Sequence, residues 1–229
     1  MARAPVAALV LSLCLLPSGP RAQTPSVTWR LNNLDRIGGH AVGTLGAPRV
    51  VQTELGSAVE FDGKTDGLLI DANPIAGLRA FTIELLFQPD AGGPEEQRFL
   101  HIEEAGDTGS RALIELRMLP GGSSWTLDTF LRNRETGLTL LDRSKAHPAA
   151  QWHTAALVYD GRVMQHYVNG ERELSGEVAF PIHEGGRTSL GVRQTLVSWF
   201  RGRIHSVRVS AAALPPAGLM RVPHRAEAK

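Results

Sequence analysis

The sequence has almost no cysteine, and this limits both its cross-links and its chemistry. Its 229 residues include one cysteine, Cys14, which lies in an apolar N-terminal run. A single thiol cannot form an intrachain disulfide, and once this run is removed no thiolate is left to ligate a metal or attack a substrate. We therefore expect the fold to depend on its hydrophobic core, for which ~200 residues are sufficient.

Charge of one sign and long apolar runs are also lacking. The 24 lysines and arginines stand against 23 acidic residues, so the formal net charge is +1 at pH 7. Nucleic-acid binding needs clustered basic residues that face phosphates, and this balance gives no electrostatic argument for such a partner. No stretch beyond the N-terminus approaches the ~20 apolar residues that span a bilayer as a helix. We predict no membrane span once the N-terminal run is cleaved.

The N-terminal run has the pattern of a secretory signal. Arg3 supplies a positive charge, residues 6–16 are uncharged and apolar, and Ala22 is a suitable last residue before cleavage. We predict a signal peptide at residues 1–22 and therefore a secreted or periplasmic protein. The alternatives are a short uncleaved anchor and a lipoprotein signal at Cys14, which the bulky residue before that cysteine disfavours.

Cleavage after Ala22 leaves 207 residues with a formal net charge of −1, because the removed segment carries Arg3 and Arg21 and no acidic residue. That length suits one β-sandwich domain, since such folds reach ~200–250 residues as single units. We place this domain at residues 23–213. Beyond it, prolines and scattered charges predict a weakly ordered tail at residues 214–229.

Short runs of alternating apolar and polar residues fill the interior of the sequence. In residues 81–88 every second side chain is large and apolar, and Thr82, Glu84 and Gln88 lie between them. Residues 112–118 repeat the pattern. A period of two is typical of a strand buried on one side, whereas a helix would scatter the charges onto its apolar stripe.

Two successive hairpins follow these runs. Strand-like residues 152–159 and 162–168 are joined by Asp160-Gly161, and the second run ends at Asn169-Gly170. Both dipeptides favour type I′ turns, because each central residue must take a positive φ that Asp, Asn and Gly tolerate best. The sequence contains no pattern for a helix of three turns. We predict an all-β fold, a two-sheet antiparallel β-sandwich.

Five segments, in order along the chain, resemble framework strands of laminin-G-like, concanavalin A-like jelly-roll domains. They are residues 56–66, 81–84, 152–161, 167–170 and 200–209. The resemblance covers most of the chain and implies a two-sheet jelly roll with a concave face. It does not imply one function, because such folds carry lectins, adhesion modules, hydrolases and lyases.

A calcium site is one function that this resemblance suggests. Asp62 and Asp66 flank a tight turn at Gly63, and calcium takes several oxygen ligands from such loops. Two carboxylates are few, so backbone carbonyls would have to complete the shell. In these domains the closing strand often carries an Asp where His205 stands here, which weakens the calcium interpretation. The alternative is an Asx turn between two strands.

Hydrolases of this fold place three carboxylates at alternate positions of one strand. That spacing puts them on one face, where one can attack and another can protonate the leaving oxygen. The sequence contains no such triplet. The nearest match is Glu171-Arg172-Glu173, which we interpret as a solvated hairpin edge because it follows the Asn-Gly turn.

Alginate-type lyases offer a second comparison. The Ile-Glu-Leu-Arg segment that contains Glu115 and Arg117 resembles the end of their Arg-x-Glu-Leu-Arg strand, although Leu113 replaces the first Arg. Ile182-His183 matches part of their Gln-Ile-His strand. A lyase neutralises a uronate carboxylate and removes the proton beside it, so an enzyme here would use Glu115, Arg117 and His183. The alternative is a polar sheet face on which the first two pair.

Other catalytic and metal patterns do not occur in the sequence. It has no Gly-x-Ser-x-Gly and no Gly-rich phosphate loop between a strand and a helix. The eight histidines are dispersed, and none has the His-x-x-x-His spacing of a helical zinc site. His153 and His166 fall on successive hairpin strands, where they either meet as ligands or serve as framework.

Sugar binding needs exposed aromatic rings, which stack on the apolar side of a pyranose beside a few polar anchors. Aromatic residues make up 6% of the chain, so core packing is the alternative for each of them. Trp29 and Trp152 each begin an apolar strand, and we assign them to the framework. The ligand-binding candidates are Trp125, Tyr167, Trp199 and Phe200.

The sequence as a whole favours an exported, non-catalytic binding module for carbohydrate or for an extracellular protein. It requires no cofactor, with calcium at Asp62 and Asp66 as the exception to test. One alternative is a polysaccharide-active enzyme, a glucan hydrolase or a uronate lyase on the same jelly roll. Another is a structural or adhesion domain without a glycan ligand.

Overall fold

The computed structural model describes residues 24–180 and 184–223. Within them two antiparallel β-sheets stack face to face, which confirms the predicted β-sandwich. The predicted signal peptide at residues 1–22 lies outside the described residues. The helical structure of the described part is a single 3₁₀ turn, Pro216–Gly218, and no described helix is long and apolar enough to cross a membrane.

The described chain forms seventeen strands. In chain order they are β1 (Ser26–Arg30), β2 (Arg36–Ile37), β3 (His40–Leu45), β4 (Arg49–Thr53), β5 (Gly56–Asp62), β6 (Gly67–Ile70), β7 (Phe81–Pro89), β8 (Glu96–Glu104), β9 (Asp107–Met118), β10 (Ser124–Arg132), β11 (Gly137–Leu141), β12 (His147–Pro148), β13 (His153–Tyr159), β14 (Val163–Val168), β15 (Glu171–Glu177), β16 (Arg187–Leu190) and β17 (Arg201–Ser210).

The strands divide into two sheets. Sheet I has eight strands in the order β15-β14-β13-β7-β17-β5-β4, and β1 also pairs with β17. Sheet II has nine strands in the order β11-β10-β9-β8-β16-β6-β3-β2, and β12 also pairs with β10. Because β17 pairs with both β7 and β5, the last strand of the described residues lies in the middle of sheet I.

The core fills the space between the two sheets. The large side chains at alternate positions of β7 point inward, as their period of two predicts. Phe87 stacks on Phe99 with 4.4 Å between ring centroids, and it meets the edge of Trp125 at 5.3 Å. Trp29 is buried in the same cluster, in the framework role assigned to it.

The C-terminal segment covers the outward face of sheet I. The Thr82 hydroxyl donates to the carbonyl of Ala212 and accepts from the amide of Leu214, at 2.7 and 2.9 Å. The amide of Met220 donates to Glu84 Oε1 at 2.6 Å, and Leu219 is buried. We call residues 211–221 the C-terminal strap. Its residues beyond 213, which composition assigns to the tail, are part of the packed domain.

The two hairpin turns differ. At Asn169-Gly170 both residues have positive φ, 50° and 78°, as the type I′ prediction requires. The turn at Asp160-Gly161 has positive φ at Gly161 alone, so it is not type I′. Asp160 Oδ1 instead accepts from the amides of Arg162 and Val163, at 2.9 and 2.7 Å, and this Asx turn lengthens the loop by one residue.

Candidate functional site

The outward face of sheet II is polar across its middle strands. In an antiparallel sheet, residues directly opposite each other point to the same side. The outward side chains of β8, β9 and β10 therefore form four rows, and we call this surface the polar face. The rows are Glu96 with Arg117 and Thr126, Arg98 with Glu115 and Asp128, His101 with Leu113 and Phe130, and Glu103 with Arg111 and Arg132.

The first two rows form a network that we call the carboxylate half. Arg98 Nε lies 2.7 Å from Glu115 Oε2, an ion pair whose angle is too oblique for a hydrogen bond. Arg117 Nε donates to Asp128 Oδ2 at 2.7 Å, and Glu96 contacts both guanidinium groups. Glu115 and Arg117 thus share one face, as their parity predicts, but Arg117 hydrogen-bonds Asp128 instead of Glu115.

Burial determines the protonation of the two central acids. It raises the pKa of Glu115 to about 7, and the neighbouring Asp128 carboxylate adds to the shift against the opposing effect of Arg98 and Arg117. Burial also raises the pKa of Asp128. The two residues are only 3% and 1% exposed, behind the two arginines. Each carboxylate is held by an arginine, so we assign both to the support of the face.

The other two rows carry mostly positive charge, and with two neighbouring arginines they form the arginine half. It consists of Glu103, Arg111 and Arg132, of Arg187 on β16 opposite Glu103, and of Arg193 from the following loop. Burial lowers the pKa of Arg111, and Arg193 and Arg132 lower it further. The Arg111 guanidinium carbon lies 5.3 Å from the centroid of the Phe130 ring.

His101 lies at the centre of the polar face and is fully buried. Burial lowers its pKa to about 3, and the charges of Arg193, Arg111 and Arg98 contribute in the same direction. Its Nδ1 accepts from the amide of Gln194 at 3.1 Å. The imidazole is therefore neutral at physiological pH and anchors the loop that follows β16.

That loop, residues 191–200, borders the polar face, and we call it the border loop. The amide of Arg98 donates to the carbonyl of Ser198 at 2.9 Å, and its guanidinium also contacts the Ser198 hydroxyl. Leu196 and Ser198 have φ of 59° and 58°, which side chains rarely adopt. Leu196 and Val197 are 49% and 46% exposed at the tip. Backbone strain and exposed apolar side chains together are typical of a binding loop.

Buried polar atoms without a hydrogen-bond partner concentrate on the polar face. The described residues contain twelve such side-chain atoms, and eight of them lie on this face or on the border loop above it. Four of the eight face each other, Arg98 Nε with Glu115 Oε2 at 2.7 Å and His101 Nε2 with Glu103 Oε2 at 3.5 Å. Native proteins leave few buried polar groups unpaired, so the other four mark a place where a ligand or water completes the bonding. The eight atoms belong to Arg98, His101, Glu103, Arg111, Glu115, Thr126, Asp128 and Arg193.

The aromatic residues predicted to bind sugar do not meet on one surface. Trp125 and Phe200 are fully buried in the core, so neither offers a ring face to a ligand. Tyr167 is 3% exposed on the outward face of sheet I, where its hydroxyl donates to Gln165 at 2.7 Å. Of the four, Trp199 alone is partly exposed, and it lies on the border loop.

Of the enzyme candidates, Glu115 and Arg117 lie on the polar face, whereas His183 lies outside the described residues. The interpretation of Glu173 as part of a solvated edge is wrong. Glu173 is the extra residue at a bulge in β15, and its side chain is 8% exposed. Its carboxylate lies 2.7 Å from His147 Nε2 and 3.7 Å from His166 Nε2.

Asp62 and Asp66 form a tight turn. Asp62 Oδ1 accepts from the amides of Lys64, Thr65 and Asp66, and the Asp66 carboxylate accepts from the amides of Ala47 and Asp62. Although burial raises the pKa of Asp62, these hydrogen bonds lower it to about 2. Each of the four carboxylate oxygens thus accepts a hydrogen bond, as the Asx-turn alternative requires, and calcium binding here stays a prediction. Nowhere in residues 24–180 and 184–223 do three His, Cys, Asp or Glu side chains group to hold a metal.

Two stacked antiparallel sheets with this strand order define a sandwich of the concanavalin A-like type. The chain belongs to the family described as Laminin_G_3, concanavalin A-like lectin/glucanases superfamily, whose model matches residues 62–219. The resemblance in the sequence is therefore confirmed. A search among curated proteins gave no match.

Solved structures of other proteins share the fold at low sequence identity. Domain 4 of the extracellular arabinanase AbnA from Geobacillus stearothermophilus, in complex with arabinotriose, is 19% identical with a TM-score of 0.63, over 83% of this chain and 94% of that one. The binding domain of botulinum neurotoxin DC in complex with SialylT is 10% identical with a TM-score of 0.60, over 84% and 49%.

The NanB sialidase from Streptococcus pneumoniae is a further structural neighbour. It is 17% identical with a TM-score of 0.55, over 73% of this chain and 27% of that one. The chain therefore corresponds to about a quarter of that sialidase chain and half of the neurotoxin domain. At these identities the comparisons establish the fold.

Proposed function

We propose that the protein is a carbohydrate-binding module whose binding surface is the polar face together with the border loop. The observation that carries this proposal is a group of buried polar atoms on one sheet face that have neither a hydrogen-bond nor an ion-pair partner, those of Arg111, Thr126, Asp128 and Arg193. Sugar hydroxyls both donate and accept hydrogen bonds, so a glycan is suited to a surface that offers arginine donors beside the more exposed carboxylates of Glu96 and Glu103. The neighbours solved with arabinotriose and with SialylT support this choice of ligand class.

Aromatic rings beside these polar groups favour a sugar over a peptide. Phe130 is half-buried on the polar face, and Trp199 is half-buried on the border loop. Pyranose rings stack on such faces while their hydroxyls reach neighbouring polar side chains. The same two features would serve an extracellular protein partner less well, because the middle of the face is charged and a protein interface excludes charge from its centre.

A non-catalytic role is part of the proposal. Glu115 and Asp128 are the most shielded acids on the face, and Arg98 and Arg117 cover them. A glycosidase or lyase needs its acid or base within hydrogen-bond reach of the substrate. Incubation with glucans and polyuronates should release neither new reducing ends nor unsaturated products, and either product would establish the enzyme alternative.

We also propose that the protein is exported. The positive charge at Arg3, the apolar residues 6–16 and the small residue Ala22 support a cleaved signal. Expression of the full chain should yield a product whose N-terminus is Gln23. A product that keeps Met1 would contradict the proposal.

The binding proposal is tested with a glycan array and then with calorimetry on each glycan that binds. Trp199→Ala should weaken binding roughly tenfold or more, because one stacked ring contributes ~1–2 kcal/mol beside its polar anchors. Trp152→Ala is the matched control, since Trp152 is also half-buried but lies beside His205, where the ring centroids are 6.3 Å apart. An array without binding, or equal losses in both variants, would contradict the assignment.

A further inference from the structure

Charge is divided unevenly over the polar face. In the carboxylate half, Glu96, Glu115 and Asp128 outnumber Arg98 and Arg117, and every member has an ion-pair partner. The arginine half contains four arginines and one acid on the face itself. The single acid is Glu103, and the arginines are Arg111, Arg132, Arg187 and Arg193.

Three of these arginines, Arg111, Arg132 and Arg193, have no acidic partner in the described part of the chain. Arg187 lies 3.8 Å from Asp71 at the rim, but no described carboxylate oxygen lies within 4 Å of Arg111 or Arg193. Their Nε atoms are buried and unpaired. Arg111 otherwise donates one bond, to the carbonyl of Thr108 at 2.7 Å. A buried guanidinium nitrogen without an acceptor is costly, because the desolvated charge is not compensated.

The groups around Arg111 and Arg193 make their environment positive. In addition to burial, Arg193, Arg132 and Arg98 lower the pKa of Arg111 by repulsion, and Glu103 opposes them. The neutral His101 between the arginines supplies no negative charge. Gln194, the residue after Arg193, is bonded to His101, whose row of the polar face is next to the row of Arg111. The fold thus places the charges of Arg193 and Arg111 on the same half of the face, where they repel each other, and a bound anion would relieve this repulsion.

We propose that the ligand of the polar face is an acidic glycan, and that Arg111 and Arg193 bind the carboxylate of one of its sugar units. This inference rests on the proposed carbohydrate-binding function. Guanidinium groups present a planar fork that matches both oxygens of a carboxylate, which gives geometric selectivity as well as charge. Phe130, against which Arg111 packs, offers a ring face for the sugar that carries the carboxylate.

Glu103 allows a test in which a substitution should strengthen binding instead of weakening it. Its side chain is 13% exposed, and its carboxylate interacts electrostatically with Arg111 and Arg193. It therefore competes with an incoming carboxylate. Glu103→Gln keeps the size of the side chain and removes this competition, so it should strengthen binding of an acidic glycan about threefold relative to binding of the methyl-esterified form of the same glycan.

The experiment compares three uronate-containing polymers, polygalacturonate, alginate and hyaluronan, each with its methyl-esterified form, which keeps the sugars and removes the charge. Calorimetry of the full protein should detect binding of at least one acidic polymer and a loss of ~tenfold or more on esterification. Arg193→Gln and Arg111→Gln should reproduce that loss, Arg193→Lys should lose less, and the matched control Arg162→Gln, 76% exposed on sheet I, should bind like the wild type. Melting temperatures exclude unfolded variants.

The outcomes separate this inference from the proposed function. Equal binding of acidic and esterified polymers, or binding of neutral glycans alone, would overturn the inference of an acidic ligand. The proposed carbohydrate-binding function would still stand. Binding of a sulfated glycan such as heparin only through its sulfates, shown by equal affinity after its carboxylates are esterified, would overturn the carboxylate assignment. Absence of binding to every glycan, charged or neutral, would overturn the proposed function and this inference with it.

Discussion

Glu115 and Asp128 lie directly opposite each other on β9 and β10, with both side chains buried on the same face of sheet II. Opposite residues on an antiparallel pair have their Cβ atoms ~5 Å apart, so two ionised carboxylates there repel each other. Burial raises the pKa of Glu115 to about 7, the Asp128 carboxylate adds to this shift, and Arg98 and Arg117 oppose it only in part. Near neutral pH the pair therefore holds a proton that the unfolded chain would release.

Glu115→Gln should change how stability depends on pH. Since the folded pKa of Glu115 is about 7 and the ordinary value is 4.5, the wild type loses stability as the pH rises through this window. Gln does not titrate. The free energy of unfolding of the variant, relative to the wild type, should therefore increase by roughly 3 kcal/mol between pH 4 and pH 8. Urea unfolding at half-unit pH steps measures this difference, and parallel curves would contradict the assignment.

His101, on the same face, should make stability depend on pH in the opposite direction. Its folded pKa of about 3 lies below the ordinary 6.5, so the unfolded chain takes up a proton that the folded protein does not, and stability falls as the pH drops below 6.5. His101→Asn keeps an acceptor for the amide of Gln194 and does not titrate. The free energy of unfolding of the variant, relative to that of the wild type, should increase by about 2 kcal/mol when the pH is lowered from 7.5 to 5.

The measurement for His101→Asn is the same unfolding series at lower pH. If the difference in unfolding free energy between variant and wild type stayed constant down to pH 5, the imidazole would protonate in the folded protein as readily as in the unfolded chain. Ionisation of Glu115 lowers stability as the pH rises, and protonation of His101 lowers it as the pH falls. A double variant should therefore remove both dependences of stability on pH, and additivity of the two effects would place the residues in separate parts of the network.

Strands with an undisturbed period of two could be predicted from the sequence. Residues 81–88 and 112–118 alternate cleanly, and both lie in long strands. Strand β8 lacks that signal, because a register shift at Phe99 turns this side chain inward and separates the outward Arg98 and His101 by three positions. Its part in the polar face became visible only through pairing with β9.

The binding site was less predictable than the fold, since exposure is a tertiary property. Trp125 has the large aromatic ring expected of a sugar-stacking residue, but its position on β10 is one of the alternate positions that point into the core. Arg193 carries no local signal, since its role depends on the bond between Gln194 and His101, which are 93 residues apart. Glu84 was expected on a solvated face, but the C-terminal strap covers it.

Leu219→Ala tests whether the C-terminal strap stabilises the domain. Leu219 is buried against Ala156, Val158 and Tyr167, so its truncation should cost about 2 kcal/mol, near the lower end for a buried leucine. Leu196→Ala is the matched control, because Leu196 is 49% exposed and should change stability by less than about 0.5 kcal/mol. Urea unfolding of both variants decides the point, and equal effects would mean that the strap is only loosely attached.

Leu196→Gly tests whether the border loop is strained. Leu196 has φ 59°, where glycine avoids the steric cost of a side chain, so this substitution should leave stability unchanged or raise it by up to about 1 kcal/mol. Val197→Gly, at the neighbouring exposed position without a positive φ, should instead lower stability by ~0.5–1 kcal/mol, because the unfolded chain gains freedom. Thermal unfolding compares the two variants directly. A loss at position 196 as large as that at position 197 would mean that the left-handed conformation carries no strain, and the loop would then need another explanation for its shape.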